Sequence, residues 1–279
     1  MPQVVSTPSP QSGDGTLIWA GQSNHGFYGS VADTAVAPNA LFYNGLDGLW
    51  YECADSLPGY AVPPGTGTGG SIARSFAGQY NAGATKPWNR MIHATAVTYG
   101  SRSSSWVPGQ SNFTHLVNVH NNLVSTGFTP SAILVALGEA DNVDLFYGLQ
   151  NPGDYYNNFI AMTDGLRAGG ITTPIILSIC SLCRLKTSVS PHLPIGPDFE
   201  PEVPADRPKR FECETQIMLE QANLIINQQG RGIYAGPNLN AISANRRWDG
   251  VHLDNYGQFY GGSGWLGKVL LYKSAGIIA

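Results

Sequence analysis

Six short runs of apolar residues recur along the chain, each long enough for one buried strand. They are TLIWA (16–20), ALFYN (40–44), IHATAV (92–97), SAILVAL (131–137), TPIILSI (173–179) and GIYAG (232–236). Most of them lack the alternation of polar and apolar residues that marks a sheet with one face in water. The pattern therefore predicts strands that are buried on both faces.

The segments between these runs carry apolar residues at helical spacing. In THLVNVHNNLVSTG (114–127), for example, Leu116, Val119 and Leu123 fall on one face. Further helices are predicted at SIARSFAGQY (71–80), YYNNFIAMTDGLRAGG (155–170) and FECETQIMLEQANLIIN (211–227), and a last one near Asn255. Strands that alternate with helices predict an α/β protein whose parallel sheet is covered by helices on both faces.

Length and composition suit one large domain. The chain has 279 residues, 42% of them hydrophobic, so it can bury a sizeable core. We expect this domain to span 16–279, after a linker-like N-terminal segment, 1–15, that is rich in proline and serine. The proline-rich stretch 184–210 has no periodicity and predicts a long ordered loop within the domain.

The charge pattern excludes several classes of partner. Only 12% of the residues are charged, the formal net charge is −4, and no long run of lysine or arginine occurs. We therefore expect neither nucleic acid nor a membrane surface as partner. No apolar stretch approaches the roughly 20 residues that span a bilayer, and the first residues lack the features of a signal peptide. The compartment stays open, with an extracellular or virion-associated location favoured.

Four cysteines, at positions 53, 180, 183 and 213, permit three pairings. Cys180-x-x-Cys183 follows a strand-like run, whereas a redox pair of this kind opens a helix, and no second such pair completes a zinc site. We therefore expect structural thiols, or a disulfide such as Cys183 to Cys213.

Two polar motifs near the ends of the chain suggest serine chemistry. Strand TLIWA runs directly into GQSN (21–24), which places Ser23 beyond the carboxyl end of a strand, where ligands bind in open α/β sheets. A serine hydroxyl becomes a good nucleophile when an imidazole accepts its proton, and a carboxylate must orient that imidazole. The motif WDGVHLD (248–254) offers both groups, so we predict Ser23 as nucleophile, His252 as general base and Asp249 as its orienting group. Read by itself, GQSN could equally be a turn that caps a helix.

The two motifs resemble the first and last signatures of the SGNH hydrolases, and within them the branch of sialate O-acetylesterases and acetylxylan esterases. Two internal segments are also similar to that branch. AVTYGS (96–101) followed by WVPG (106–109) resembles its second segment, and LGEAD (137–141) resembles its Gln-Gly-Glu-x-Asp segment. The resemblance implies a flavodoxin-like three-layer αβα sandwich and hydrolysis through an acyl-enzyme, without metal or other cofactor.

The resemblance also implies an oxyanion hole formed by the backbone N–H groups of Ser23 and Gly100 and by a side-chain amide. Leu137 and Ala140 occupy the positions where the family carries that amide. We expect Asn142 to replace it, with Asn24 or another group as alternatives.

Other motif residues are assigned to the substrate or to the loop around it. Gln22, Trp106 and Glu139 are expected to contact the substrate. Glu139 and Asp141 could instead be catalytic carboxylates or could tie their loop to the site, and the second role is favoured.

These residues leave three candidate functions. The favoured one is a serine esterase that removes O-acetyl groups from an oligo- or polysaccharide. The others are a lipid or thioester hydrolase with the same triad, and a non-catalytic glycan-binding domain of a viral tail or adhesin. Aromatic residues interleaved with glycine, aspartate and asparagine suit stacking on sugar rings better than an acyl-chain groove. The oligomeric state is not predicted.

Overall fold

The computed structural model describes residues 2–30, 32–60, 69–84, 86–181, 210–242, 246–247 and 251–279. Within these ranges one sheet of eight strands is covered by helices on both faces. The predicted α/β class and the three-layer αβα sandwich are thereby confirmed.

The strands lie close to the predicted apolar runs. They are β1 (Val4–Val5), β2 (Asp14–Gly21), β3 (Ala40–Asn44), β4 (Trp50–Glu52), β5 (Arg90–Val97), β6 (Ala132–Ala136), β7 (Ile175–Ile179) and β8 (Ile233–Asn238). The order across the sheet is β1-β4-β3-β5-β2-β6-β7-β8. The pairs from β3 to β8 are parallel, and only β4 and β1 join antiparallel at one edge.

The helices divide between the two faces of the sheet. They are α1 (Ile72–Ala82), α2 (Ser111–Ser125), α3 (Glu139–Phe146), α4 (Asp154–Ala168), α5 (Arg210–Asn227) and α6 (Asn255–Ser274). One apolar core joins the sheet to α2, α4 and α5, and the other joins it to α1 and α6. Neighbouring strand residues such as Ile18 and Trp19 enter opposite cores, which explains why the strands are apolar at almost every position.

The strand order locates the expected ligand site. If β1, β4 and β3, the three strands at one end of the sheet, are set aside, the remaining five strands, renumbered along the chain, run in the order 2-1-3-4-5 of doubly wound sheets. In that order the chain reverses direction across the sheet between β2 and β6, and ligands bind beyond the carboxyl ends of these strands. Ser23 follows β2 and Glu139 follows β6, so the motifs GQSN (21–24) and LGEAD (137–141) meet at this crevice.

Parts of the predicted linker and loop have defined positions. Within 1–15, Val4–Val5 pairs with β4, and Asp14, the first residue of β2, forms an ion pair with Arg90 at 2.7 Å. Of the stretch 184–210, residue 210 begins α5 and the rest lies outside the described residues. No helix in the described part of the chain is long and apolar enough to cross a bilayer.

Candidate active site

The loop after β2 has a conformation that depends on one glycine. Gly21 has a φ of +119°, and a Cβ atom there would lie 1.9 Å from the carbonyl oxygen of Ala136 on β6. Because that oxygen belongs to the backbone of the neighbouring strand and accepts a hydrogen bond from Gln22 N at 3.1 Å, it has little freedom to move. Glycine therefore lets the chain turn tightly and present Ser23 above the sheet.

Ser23 and His252 meet although 229 positions separate them in the sequence. The hydroxyl oxygen of Ser23 lies 2.7 Å from Nε2 of His252, and each residue is 6% exposed. His252 is held just before α6, where the Asp254 side chain caps the helix by accepting from Gly257 N at 2.7 Å. This geometry suits proton transfer from the serine hydroxyl to the imidazole.

Asp249, the predicted third member of the triad, lies outside the described residues, and its orienting role remains a prediction. Two tyrosines, by contrast, flank the imidazole. The ring centroid of Tyr28 is 4.2 Å from that of His252 and 4.7 Å from that of Tyr99. Tyr28 was not anticipated from the sequence, where its proximity to Ser23 along the chain was the available signal.

A buried hydrogen-bond network joins the motifs around the serine. Asn24 Nδ2 donates to Glu139 Oε1 at 2.8 Å and to the carbonyl of Val251 at 3.1 Å. Its Oδ1 accepts from Leu253 N at 3.1 Å, so Asn24 holds the chain on both sides of His252. Gln22 Nε2 donates to the other oxygen of Glu139.

This network changes the expected roles of Gln22 and Glu139. Both side chains are buried, each with 2% of its surface exposed. Glu139 accepts from two amides, and Gln22 also accepts weakly from Ala140 N at 3.4 Å. They are placed to position the serine loop and the histidine segment, rather than to present a free group to a substrate.

Asn142 does not occupy the position expected of an oxyanion donor. It is fully buried on α3, and its Nδ2 donates to the carbonyl of Ser181 at 2.8 Å. The two hydrogens of Asn24 Nδ2 are also used, by Glu139 and Val251. The prediction that Asn142 replaces the missing amide is therefore wrong, because its side chain is fully buried and donates to a residue just after β7.

The backbone donors of the predicted oxyanion hole are in better positions. Among the described residues, neither Ser23 N nor Gly100 N donates a hydrogen bond to another group. Gly100 is exposed on the loop after β5, with a φ of +62°. The base of that loop is fixed beside the nucleophile, since Thr98 N donates to the carbonyl of Gly21 at 2.9 Å.

Trp106 is a core residue and not a sugar-stacking platform. Its indole is 1% exposed, packs within the core beneath α2 and α4, and donates from Nε1 to Ser101 Oγ at 3.0 Å. The expected substrate contact of Trp106 is thus corrected. Asp141 has the tying role that was favoured for it, because it accepts from the backbone and hydroxyl of Ser103, the hydroxyl at 2.5 Å.

A cavity of about 230 Å³ opens beside Ser23. Ser23, Val97 and Thr98 lie on its inner wall, and Tyr28 and Tyr99 belong to its aromatic side. Tyr99 is 58% exposed, so its ring is available to a bound molecule at the entrance. The space beside Ser23 is therefore small and partly lined by aromatic rings.

Two other histidines near this region are fully buried and remain neutral. Burial lowers the pKa of His25 to about 3, against a smaller opposing effect of its hydrogen bond to the Ala20 carbonyl. Burial likewise lowers the pKa of His93 to about 3, with Arg74 adding to the shift. Both rings pack against Trp19 in the core, which leaves His252 as the imidazole placed to act on Ser23.

The described residues contain no group of three or more histidine, cysteine, aspartate or glutamate side chains suited to a metal ion. Cys53 and Cys180 are buried free thiols. The predicted Cys183 to Cys213 disulfide lies outside the described side chains.

Comparisons with known proteins show similarity at the level of the fold. No protein-family model matches the chain, and no curated protein matches its sequence. Among solved structures, a protein from Arabidopsis thaliana has a TM-score of 0.59 at 15% identity, over 93% of this chain and 98% of that one. NanS also has a TM-score of 0.59, at 12% identity, over 96% of this chain and 99% of its own. At these identities the two structures show that the chain shares their α/β fold.

Proposed function

We propose that this protein is a serine esterase that removes O-acetyl groups from carbohydrate through an acyl-enzyme. The observation that carries the proposal is the 2.7 Å contact between Ser23 Oγ and His252 Nε2 beyond the carboxyl ends of β2 and β6. A hydroxyl and an imidazole in this relation form the reactive pair of serine esterases.

The chemistry follows from the positions of these atoms. Ser23 Oγ attacks the ester carbonyl carbon while its proton passes to His252 Nε2, and Asp249 stabilises the imidazolium that forms. The tetrahedral oxyanion accepts hydrogen bonds from the backbone N–H groups of Ser23 and Gly100. Its collapse breaks the bond to the sugar oxygen, which leaves with the proton from His252. Water then attacks the acyl-enzyme by the reverse sequence and releases acetate.

The size and lining of the cleft support a small acyl group and a sugar leaving group. The cavity of about 230 Å³ is bounded by Tyr28, Tyr60 and Tyr99. Each added methylene would have to fit against these rings, and overfilling a packed site costs roughly 1–3 kcal/mol. The exposed Tyr99 offers a flat apolar face of the kind on which a pyranose ring stacks.

The nucleophile is tested by Ser23→Ala, with hydrolysis of an aryl acetate as the assay. Turnover should be lost while the melting temperature stays nearly unchanged. Ser125→Ala is the matched control, because Ser125 is an exposed serine at the end of α2 and its hydroxyl donates only locally, to the Asn122 carbonyl. Wild-type rates in the Ser23→Ala protein would refute the proposal.

The substrate class is tested by a series of acyl chain lengths together with acetylated glycans. Activity should fall steeply from acetyl to butyryl to octanoyl esters, and acetate should be released from acetylated xylan, sialic acid or a bacterial polysaccharide. If octanoyl esters are preferred and no glycan releases acetate, the lipid-esterase alternative replaces the carbohydrate one. If Ser23 is inert toward every ester while the protein binds glycans, the non-catalytic alternative replaces both.

A further inference from the structure

A second and larger cavity lies between α1 and α6, and none of its lining residues lines the catalytic cleft. Its volume is about 570 Å³. The lining comes from two helices and the loops before them, and it comprises Arg74, Gly78 and Gln79 of α1 with Tyr256, Phe259 and Tyr260 of α6, among others. The proposed ester chemistry does not use any of these side chains, so the cavity requires a separate explanation.

One side of this cavity is aromatic and open to solvent. Tyr256, Phe259 and Tyr260 are each more than half exposed, although rings of this size are normally buried. They occupy the first two turns of α6, and Phe259 and Tyr260 contact each other edge to face, with ring centroids 6.0 Å apart. Because Arg246 lies over the ring of Tyr256, 4.5 Å from its centroid, Phe259 and Tyr260 are the rings that offer apolar faces to a bound molecule.

The other side of the cavity carries the guanidinium of Arg74, one nitrogen of which can donate to a bound molecule. The side chain of Arg74 is 7% exposed, and its Nε and Nη2 atoms donate to the carbonyl of Ala35 at 2.9 and 2.7 Å. Its Nη1 lies over Gly78, 2.8 Å from the position that a Cβ atom would occupy there. Within the described ranges, Nη1 makes no hydrogen bond to the protein, and both Arg74 and Gly78 line the cavity. An acceptor oxygen of a bound molecule could take the hydrogen bond that Arg74 Nη1 does not donate to the protein.

The charge of the lining favours a neutral ligand. Arg74 Nη2 forms an ion pair with Asp33 at 2.9 Å, and Asp55 also lines the cavity, so the positive charge is already balanced. A carboxylate or phosphate would have to displace Asp33 or lie beside it. A hydroxyl oxygen can accept from Nη1 without that repulsion.

We propose that this cavity, defined by Arg74, Gly78, Phe259 and Tyr260, is a second, non-catalytic site that binds a neutral oligosaccharide. A pyranose has an apolar face of C–H groups and hydroxyl groups around its edge. The exposed rings on one side of the cavity suit the apolar face, and the N–H donor of Arg74 on the other side suits a hydroxyl oxygen. The inference goes beyond the proposed esterase activity and does not use Ser23 or His252. A polysaccharide held here would raise the local concentration of substrate at the catalytic cleft.

Binding is tested with the Ser23→Ala protein and isothermal titration calorimetry, using neutral oligosaccharides of xylose, glucose, mannose and galactose as probes. At least one probe should bind, and Phe259→Ala combined with Tyr260→Ala should weaken that binding by about tenfold or more. Leu271→Ala is the matched control, because Leu271 is equally exposed on α6 but does not line the cavity. It should leave the affinity unchanged.

The donor side is tested by Gly78→Ala, which puts a methyl group against Arg74 Nη1. The affinity should fall severalfold while the fold is retained, since alanine is a better helix former than glycine. Gly267→Ala is the control, because a Cβ atom there would meet nothing within 4 Å on α6. The site proposal is refuted if no neutral probe binds, if only acidic glycans or peptides bind, or if the cavity variants bind like the wild type.

The same variants separate this proposal from the esterase proposal. Hydrolysis of a simple aryl acetate should be unaffected by Gly78→Ala or by the paired aromatic substitutions, because these residues lie outside the catalytic cleft. Loss of oligosaccharide binding with intact hydrolysis supports the second site. Absence of hydrolysis with intact binding would instead remove the esterase proposal alone.

Discussion

Replacement of Asn24 by alanine should damage both stability and turnover, because this side chain joins the serine loop to the histidine segment. The variant loses hydrogen bonds to the carbonyl of Val251 at 3.1 Å and from Leu253 N at 3.1 Å. It also loses the bond to the carboxylate of Glu139 at 2.8 Å. Two neutral bonds at about 1 kcal/mol each and one charge-assisted bond at about 1.5–3 kcal/mol give a loss of roughly 4 kcal/mol. That is a large part of the roughly 5–15 kcal/mol that stabilises a typical domain.

The effect on turnover follows from where the lost bonds lie. Val251 and Leu253 are the neighbours of His252, so their release frees the imidazole from its 2.7 Å contact with Ser23. A displacement of about 1 Å in a catalytic group can cost roughly 10²-fold in rate. We therefore expect kcat to fall by about this factor while KM changes little, since Asn24 is buried and does not line the catalytic cleft.

The assay combines urea unfolding with aryl acetate kinetics at a temperature where the variant is folded. Asn112→Ala is the control, because Asn112 is also buried but makes one side-chain bond, to Ser105 Oγ at 2.9 Å, outside the network around His252. It should lose about 1 kcal/mol and keep its kcat. A folded Asn24→Ala protein with kcat close to wild type would show that Asn24 does not position His252.

Three further predictions concern the strand edge, a buried carboxyl and the triad. Gly21→Ala should unfold the protein or displace the serine loop, because its Cβ atom would lie 1.9 Å from the carbonyl oxygen of Ala136. Thermal melting and ester hydrolysis kinetics test this, and a soluble variant with normal activity would contradict it. Burial raises the pKa of Asp141 to about 7 from 3.8, so its protonated form stabilises the folded state at acid pH and that contribution is lost as pH rises through 7. The free energy of unfolding of Asp141→Asn, measured in urea titrations, should therefore rise relative to that of the wild type by a few kcal/mol between pH 5 and pH 8, at about 1.4 kcal/mol per pKa unit. A difference between the two proteins that stays constant with pH would refute this. Asp249→Asn should lower kcat by up to about 10⁴-fold with little change in KM, and a rate near wild type would mean that another group orients His252.

The sequence alone predicted the layers of the fold and the contact between Ser23 and His252. Each predicted apolar run became a strand. A central strand with helices on both faces must be apolar on both faces, so it appears in the sequence as an uninterrupted run of apolar residues. Ser23 and His252 could be paired from their motifs because serine chemistry requires a base. The short strands Val4–Val5 and Trp50–Glu52, and helix Glu139–Phe146, were not anticipated, since two or three residues carry no periodicity and the acidic start of the helix resembled a motif loop.

The tertiary structure alone decided which partner each polar or aromatic side chain has. Asn142 is an amide at a suitable place in the motif, but it is fully buried and its Nδ2 donates to the carbonyl of Ser181, just after β7. Trp106 lies in a motif and is nevertheless core, whereas Tyr28 lies in none and its ring contacts His252. A hydrogen bond or ring contact depends on atoms brought together across the sheet, and a local pattern does not encode those distances. Residue type predicts what a side chain can do, and its neighbours in space determine what it does.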